Sequence, residues 1–178
     1  MGSPSRKTAA QLRQYFCDEL PLMPLLAFWK SDPQAVLKMS IDQIVAIAGE
    51  GKLRDDSECS AELRSYLSET QTAALRRYAD YCLEQSFVKS GQVLQDVINE
   101  VGRRLEFEVK HGRYAGTTNA IGNDGLWRGP DGHDIVVEVK TTDGFSIKLD
   151  TIAGYRNRLL ESGALSRSNS MLVVVGRH

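Results

Sequence analysis

Asp124, Glu138 and Lys140 are the residues of this chain whose types and spacing could do chemistry. Between the two acids lies Gly129-Pro130-Asp131-Gly132, a set of residues that supplies the dihedrals of a chain reversal, with strand-like runs on either side. The pattern predicts a β-hairpin with strands over about 119–127 and 134–141. With the reversal centred near Asp131, positions whose numbers sum to 262 face each other, which sets Asp124 across from Glu138.

Side chains alternate faces along a strand, so Glu138 and Lys140 share a face with Asp124, and Ile135, Val137 and Val139 take the opposite one. Cross-strand neighbours lie roughly 5 Å apart, and like charges directly opposite destabilise a sheet. A hard divalent cation, Mg²⁺ or Mn²⁺, would offset the repulsion by taking oxygen ligands from both carboxylates. The Lys140 ammonium would help. Glu-x-Lys also occurs at Glu50-Gly51-Lys52 and Glu108-Val109-Lys110, but only the third copy ends a β-branched run and has an acid placed across a hairpin.

The elements that must position these residues can be followed along the chain. Residues 6–88 read as helices throughout: Leu12, Tyr15 and Phe16 fall at helical spacing, Asp32-Pro33 and Ser40 start helices, and Gly49 and Gly51 end one. From Gly91 an amphipathic helix carries apolar positions Leu94, Val97, Ile98, Val101 and Leu105. An alternating strand from Phe107 to Tyr114 follows, then the hairpin. A helix capped by Asp150 closes near Gly163, and the apolar run Met171–Gly176 has the composition of a buried central strand. His133 falls in the turn, where solvent exposure is expected. The order from residue 91 is α-β-β-β-α-β, so the fold class is mixed α and β with two parts, a helical module over 6–88 and a second domain over 89–178.

Composition sets bounds on partners. Residues 1–100 hold 11 basic and 14 acidic side chains, whereas 101–178 hold 11 and 9, a small bias of the sign that a phosphate-facing second half requires. Cys17, Cys59 and Cys82 form no CxxC pair and read as buried free thiols rather than zinc ligands or disulfides. No apolar run approaches the roughly 20 residues of a membrane span, and the N-terminus lacks the apolar centre of a signal peptide, so a cytoplasmic protein is expected.

Asp124, thirteen intervening residues, then Glu138-Val139-Lys140, within the α-β-β-β-α-β order, resembles the PD-(D/E)xK nuclease superfamily and its restriction-endonuclease-like fold. The resemblance covers about 88–178 and departs at two places. Gln95, with Asp96 beside it, stands where family members often carry an acid on the first helix, and Asn123 replaces the proline of the motif's name. The resemblance implies an endonuclease hydrolysing phosphodiester bonds with Mg²⁺ or Mn²⁺, in which Asp124, Glu138 and the Val139 carbonyl are metal ligands and Lys140 orients the attacking water. Asp96 is a further candidate ligand. Arg113, Tyr114, Thr141, Lys148, Arg156 and Arg158 are candidate contacts to nucleic acid. The implied substrate is DNA in a microbial setting of restriction or repair. A homodimer would suit a duplex cut, since one such site cuts one strand, and a partner chain could complete the C-terminal edge of the sheet. The rival readings are a catalytically idle module of the same fold that binds nucleic acid or organises a complex, and an RNA-directed nuclease.

Overall fold

Short polar residues start the helices of the N-terminal half, and the folded chain uses them as caps. The computed structural model describes residues 24–115, 122–143 and 148–176. Helix α1 (Pro24–Ser31) leads into α2 (Pro33–Leu37), where the Asp32 carboxylate accepts the Ala35 N–H at 3.0 Å. A Ser40/Gln43 capping box opens α3 (Ile41–Ile47), and Gly49 and Gly51 turn the chain away from it with φ of +48° and +68°. Next come α4 (Glu58–Glu69), capped by Ser57, then α5 (Thr72–Glu84) and α6 (Ser90–Arg104). The helix expected around Leu12, Tyr15 and Phe16 lies outside the described residues, as does Cys17.

One buried acid ties this half together. Glu62 is 1% exposed, and its carboxylate accepts the N–H of Leu26 at 2.8 Å and of Gly49 at 2.5 Å. Amide donors thus satisfy the charge, and α4 is held to the start of α1 and the end of α3.

Strands β1 (Glu108–His111), β2 (Gly125–Arg128), β3 (Asp134–Asp143) and β4 (Asn169–Gly176), with α7 (Leu149–Glu161) between the last two, form a sheet in the order β1-β2-β3-β4. The first three are antiparallel and β4 is parallel to β3. From α6 onward the element order is the expected α-β-β-β-α-β, which places the chain in the mixed α and β class. The hairpin register pairs Gly125 with Val137, Leu126 with Val136, Trp127 with Ile135 and Arg128 with Asp134, keeping the centre at Asp131. Gly132, at φ +78°, completes the reversal.

The sheet is covered on both faces. Val137, Val139 and Trp127 join Leu63, Leu67, Leu94 and Val97 in one cluster that runs from the N-terminal helices to the sheet. Leu126 and Val136 face the other way, onto Leu159 and Leu165. Full burial of such side chains is worth roughly 1.5–3 kcal/mol each, so the helices and the sheet stabilise each other through this shared core.

Several expectations need correction. Strand β2 begins at Gly125 rather than near 119; residues 122–124 are irregular, and 119–121 lie outside the described residues. Strand β1 ends at His111, short of the expected Tyr114, whose N–H turns to Asp55 at 2.8 Å. Strand β4 is an edge strand whose residues are mostly half-buried, not a central one: the crossover through α7 brings it beyond β3, with no further described strand outside it. Asp150 is the second residue of α7, with Lys148 at the cap. His133 is half-buried, its ring nitrogens 2.8 Å and 2.9 Å from the Ser168 and Ser170 hydroxyls. Cys59 and Cys82 are buried free thiols as expected, pushed up by burial to about 11 and about 12. Among the described residues no helix is long and apolar enough to cross a membrane.

Candidate functional site

Asp124 is fixed by its own backbone before its side chain is considered. Its N–H donates to the Val137 carbonyl at 2.9 Å, and its carbonyl accepts from the Gly112 N–H at 3.0 Å and from Asn99 Nδ2 at 2.9 Å. The close approach needs glycine. A Cβ on Gly112 would lie 1.9 Å from the Asn123 carbonyl oxygen, and one on Gly125 would lie 2.2 Å from Asn99 Oδ1. Asn99 in turn accepts the Trp127 indole N–H at 2.8 Å, so α6 holds the start of β2 at two points.

The carboxylate of Asp124 reaches across the hairpin. Its Oδ2 accepts the Val139 N–H at 2.7 Å, which fixes the side chain between Glu138 and Lys140 in sequence. Glu138 is 5% exposed, and its Oε1 meets Lys140 Nζ at 2.6 Å. Asp124, Glu138 and Lys140 are therefore brought together, but not as the expected cross-strand pair: Asp124 precedes β2, and its N–H and carboxylate meet Val137 and Val139 on either side of Glu138. Among the described residues, Asp124 Oδ1 and Glu138 Oε2 accept no hydrogen bond from the protein.

The electrostatics show acids short of positive charge. Burial holds the Asp124 carboxyl above its ordinary range, against the pull of the Val139 N–H and Lys140. Glu138 is raised as well, first by burial and further by the Asp124 charge, with Lys140 opposing. Burial draws Lys140 down, but its hydrogen bond to Glu138 and the charges of Glu138, Asp124 and Tyr155 more than reverse this, so it stays protonated. A divalent cation fits this donor set. No cluster of three or more His, Cys, Asp or Glu that could hold a metal occurs among the described residues, but Mg²⁺ is commonly held by one or two carboxylates with waters and substrate phosphate completing its shell. Two desolvated, mutually repelling carboxylates with free oxygens meet that description.

Asp96 goes elsewhere. Its Oδ1 accepts from Arg64 Nε at 3.0 Å, its Oδ2 accepts the Tyr114 hydroxyl proton, and His111 Nδ1 lies 3.3 Å away. The Arg64 guanidinium also covers the Tyr114 ring at 5.2 Å. Both oxygens of Asp96 are taken, and this acid is not part of the Asp124 and Glu138 set. The neighbouring Gln95 donates to the Gly112 carbonyl at 3.0 Å.

The candidate nucleic-acid contacts scatter. The polar end of Tyr114 is turned inward onto Asp96, and Arg113 lies 3.7 Å from Asp55. Thr141 follows Lys140 on β3, half-buried. Lys148 is exposed just ahead of α7, Arg156 donates to Asn169 Oδ1 at 2.5 Å, and Arg158 is exposed with its guanidinium 5.3 Å from the Tyr155 ring centroid. Two residues of the site were not singled out from sequence. Asn99 had a signal, since it lies one turn after Gln95, making a polar pair along a helix otherwise ready for burial. Tyr155 had none: only the packing of α7 brings it against Gly122, where an added Cβ would sit 3.5 Å from its Cζ and Oη.

Comparison with protein-family models, with curated proteins and with solved structures found no match to this chain.

Proposed function

We propose that the chain is a Mg²⁺- or Mn²⁺-dependent endonuclease of the PD-(D/E)xK type, with a restriction-endonuclease-like core over 89–178, acting on DNA in microbial restriction or repair. One observation carries the reading: Asp124 and Glu138, both desolvated and both raised, meet at β3, Asp124 through the Val139 N–H and Glu138 with Lys140 against it. Asp124, Glu138 and the Val139 carbonyl would hold the cation, which when bound supplies Lewis-acid polarisation of a phosphoryl oxygen and a water of lowered pKa. The protein residues then divide the remaining work. The Val139 N–H fixes Asp124 in the orientation that leaves Oδ1 free. Glu138 keeps Lys140 protonated and in place. The Lys140 ammonium, a compact charge on a flexible stem, orients water for attack and faces the negative charge that builds on the phosphorane. A homodimer would cut both strands of a duplex, one per site.

The test is cleavage of supercoiled plasmid by the purified protein with Mg²⁺, with Mn²⁺ and with chelator, beside Lys140→Ala. Metal-dependent nicking or linearisation that disappears in the variant is the expected result. Absence of cleavage, with DNA binding retained in chelator, would replace the nuclease by an idle binding module of the same fold, and cleavage of RNA alone would move the substrate class.

A further inference from the structure

The Asp124, Glu138 and Lys140 set leaves one electrostatic need unmet. Lys140 Nζ lies 2.6 Å from Glu138 Oε1 and serves the reacting phosphoryl group, whereas the flanking phosphates of a strand bring negative charge of their own. A second source of positive charge stands on α7. The phenol of Tyr155 lies against Gly122, two residues before Asp124, where an added Cβ would sit 3.5 Å from the phenol oxygen. Its hydroxyl makes no hydrogen bond to another described residue. One turn on, the exposed Arg158 places its guanidinium 5.3 Å from the Tyr155 ring centroid, with Nε directed to the Gly154 carbonyl at 3.4 Å. No carboxylate pairs with Arg158 among the described residues. A guanidinium laid on an aromatic face is restricted in its motion yet keeps most of its N–H donors free, the arrangement that suits a planar fork reading phosphate oxygens.

We propose that Tyr155 and Arg158 form a phosphate grip beside the candidate site: the Arg158 guanidinium binds a backbone phosphate of a DNA strand, and the Tyr155 ring holds it there while its hydroxyl faces the Asp124 end. This rests on DNA being the ligand, as in the reading above, but not on cleavage. The neighbouring cations are placed differently: Arg156 on α7 is engaged by Asn169, and Lys148 precedes the helix.

The grip is tested by anisotropy of a fluorescein-labelled DNA duplex in chelator over a series of NaCl concentrations. The proteins are wild type, Arg158→Gln, Tyr155→Phe, Tyr155→Ala, the Tyr155→Ala/Arg158→Gln double variant, and Arg76→Gln as a control of equal charge on α5. Arg158→Gln is expected to weaken binding about threefold to tenfold and to reduce the salt slope by about 0.9, as for one lost phosphate contact. Tyr155→Phe keeps the platform and should keep the slope. Tyr155→Ala should lose what Arg158→Gln loses, and the double variant should be no weaker than either, because the two side chains act as one unit. Arg158→Gln binding within about twofold of wild type with an unchanged slope, a strictly additive double variant, an equal loss in Arg76→Gln, or no binding by wild type would each overturn the proposal. Plasmid cleavage with Mg²⁺, run on the same preparations, separates the two readings. Cleavage by wild type without this binding pattern sinks the grip alone, and the binding pattern without cleavage sinks the nuclease alone.

Discussion

Two acid-bearing clusters of this molecule are built from similar residue types and end in opposite states. Around Asp96, which is fully buried, both carboxylate oxygens are taken, by Arg64 at 3.0 Å and by the Tyr114 hydroxyl, and the arginine folds over the tyrosine ring. Around Asp124 and Glu138, one oxygen of each acid is held, by the Val139 N–H and by Lys140, and one of each is left over among the described residues. The first cluster fills its carboxylate and fastens the segment after β1 to the helices. The second carries more negative charge than its own partners balance. A buried carboxylate therefore points to ligand chemistry when its hydrogen-bonding capacity is unfilled, and the mere presence of an acid on the first helix of such a core does not.

The contrast can be broken most severely at Arg64. Removing one partner of a buried pair costs about 3–5 kcal/mol, and since the Arg64 side chain is 28% exposed the lower end applies. Arg64→Ala should thus lower the midpoint of urea unfolding strongly while leaving cleavage per folded molecule intact; an unchanged midpoint would erase the distinction between the clusters. Lys140→Ala should do the reverse. Its plasmid cleavage should fall by about 10²- to 10³-fold, the usual effect of removing one stabiliser of transition-state charge, with the cooperative melt retained. Mg²⁺ should raise the melting temperature of wild type, by the equivalent of about 1.4 kcal/mol at a concentration tenfold above its Kd, and should not do so for Asp124→Asn. A Mg²⁺ shift that survives in Asp124→Asn would place the cation elsewhere.

The smallest effect concerns pH. Asp124 and Glu138 are both raised above their ordinary values of 3.8 and 4.5, so in the range just above those values the folded chain holds protons that the unfolded chain has released. Their favourable contribution is present below pH 3.8–4.5 and is lost as pH rises through the folded pKa values. In chelator, Asp124→Asn should therefore melt above wild type at neutral pH, with the gap closing as pH falls toward 4. A gap of constant size across a differential scanning series from acid to neutral pH would show that the native acid is not held against its own charge.

The parts of this structure that could be read from sequence are those set by short range. The register followed from a four-residue turn, whereas the seat of Asp124, in the irregular residues before β2, did not. Helix starts at Asp32 and Ser40 followed from local hydrogen bonding. What escaped depends on partners distant in the chain. The fate of Asp96 was decided by Arg64, on another helix, and by Tyr114, beyond the next strand. The composition of β4 suggested a central strand, since an apolar run looks the same at a half-buried edge as in the middle of a sheet. Tyr155 and Gly122 are thirty-three positions apart, and no periodicity in either segment reports on a contact between them.

The reversal at Gly129–Gly132 has a consequence beyond joining two strands. Because strand faces alternate with period two, turn length acts as a parity count on the whole site. One extra residue transmitted into the pairing would send Glu138 and Lys140 toward the side now filled by Val137 and Val139, burying charge in the helical core and placing valines where the acids now stand. Two extra residues would restore the faces yet slide Asp124 past its partner by a full repeat. Variation in the length of this loop is thus a discrete on-off character for the chemistry, while variation in its composition at Pro130 or Asp131 is graded.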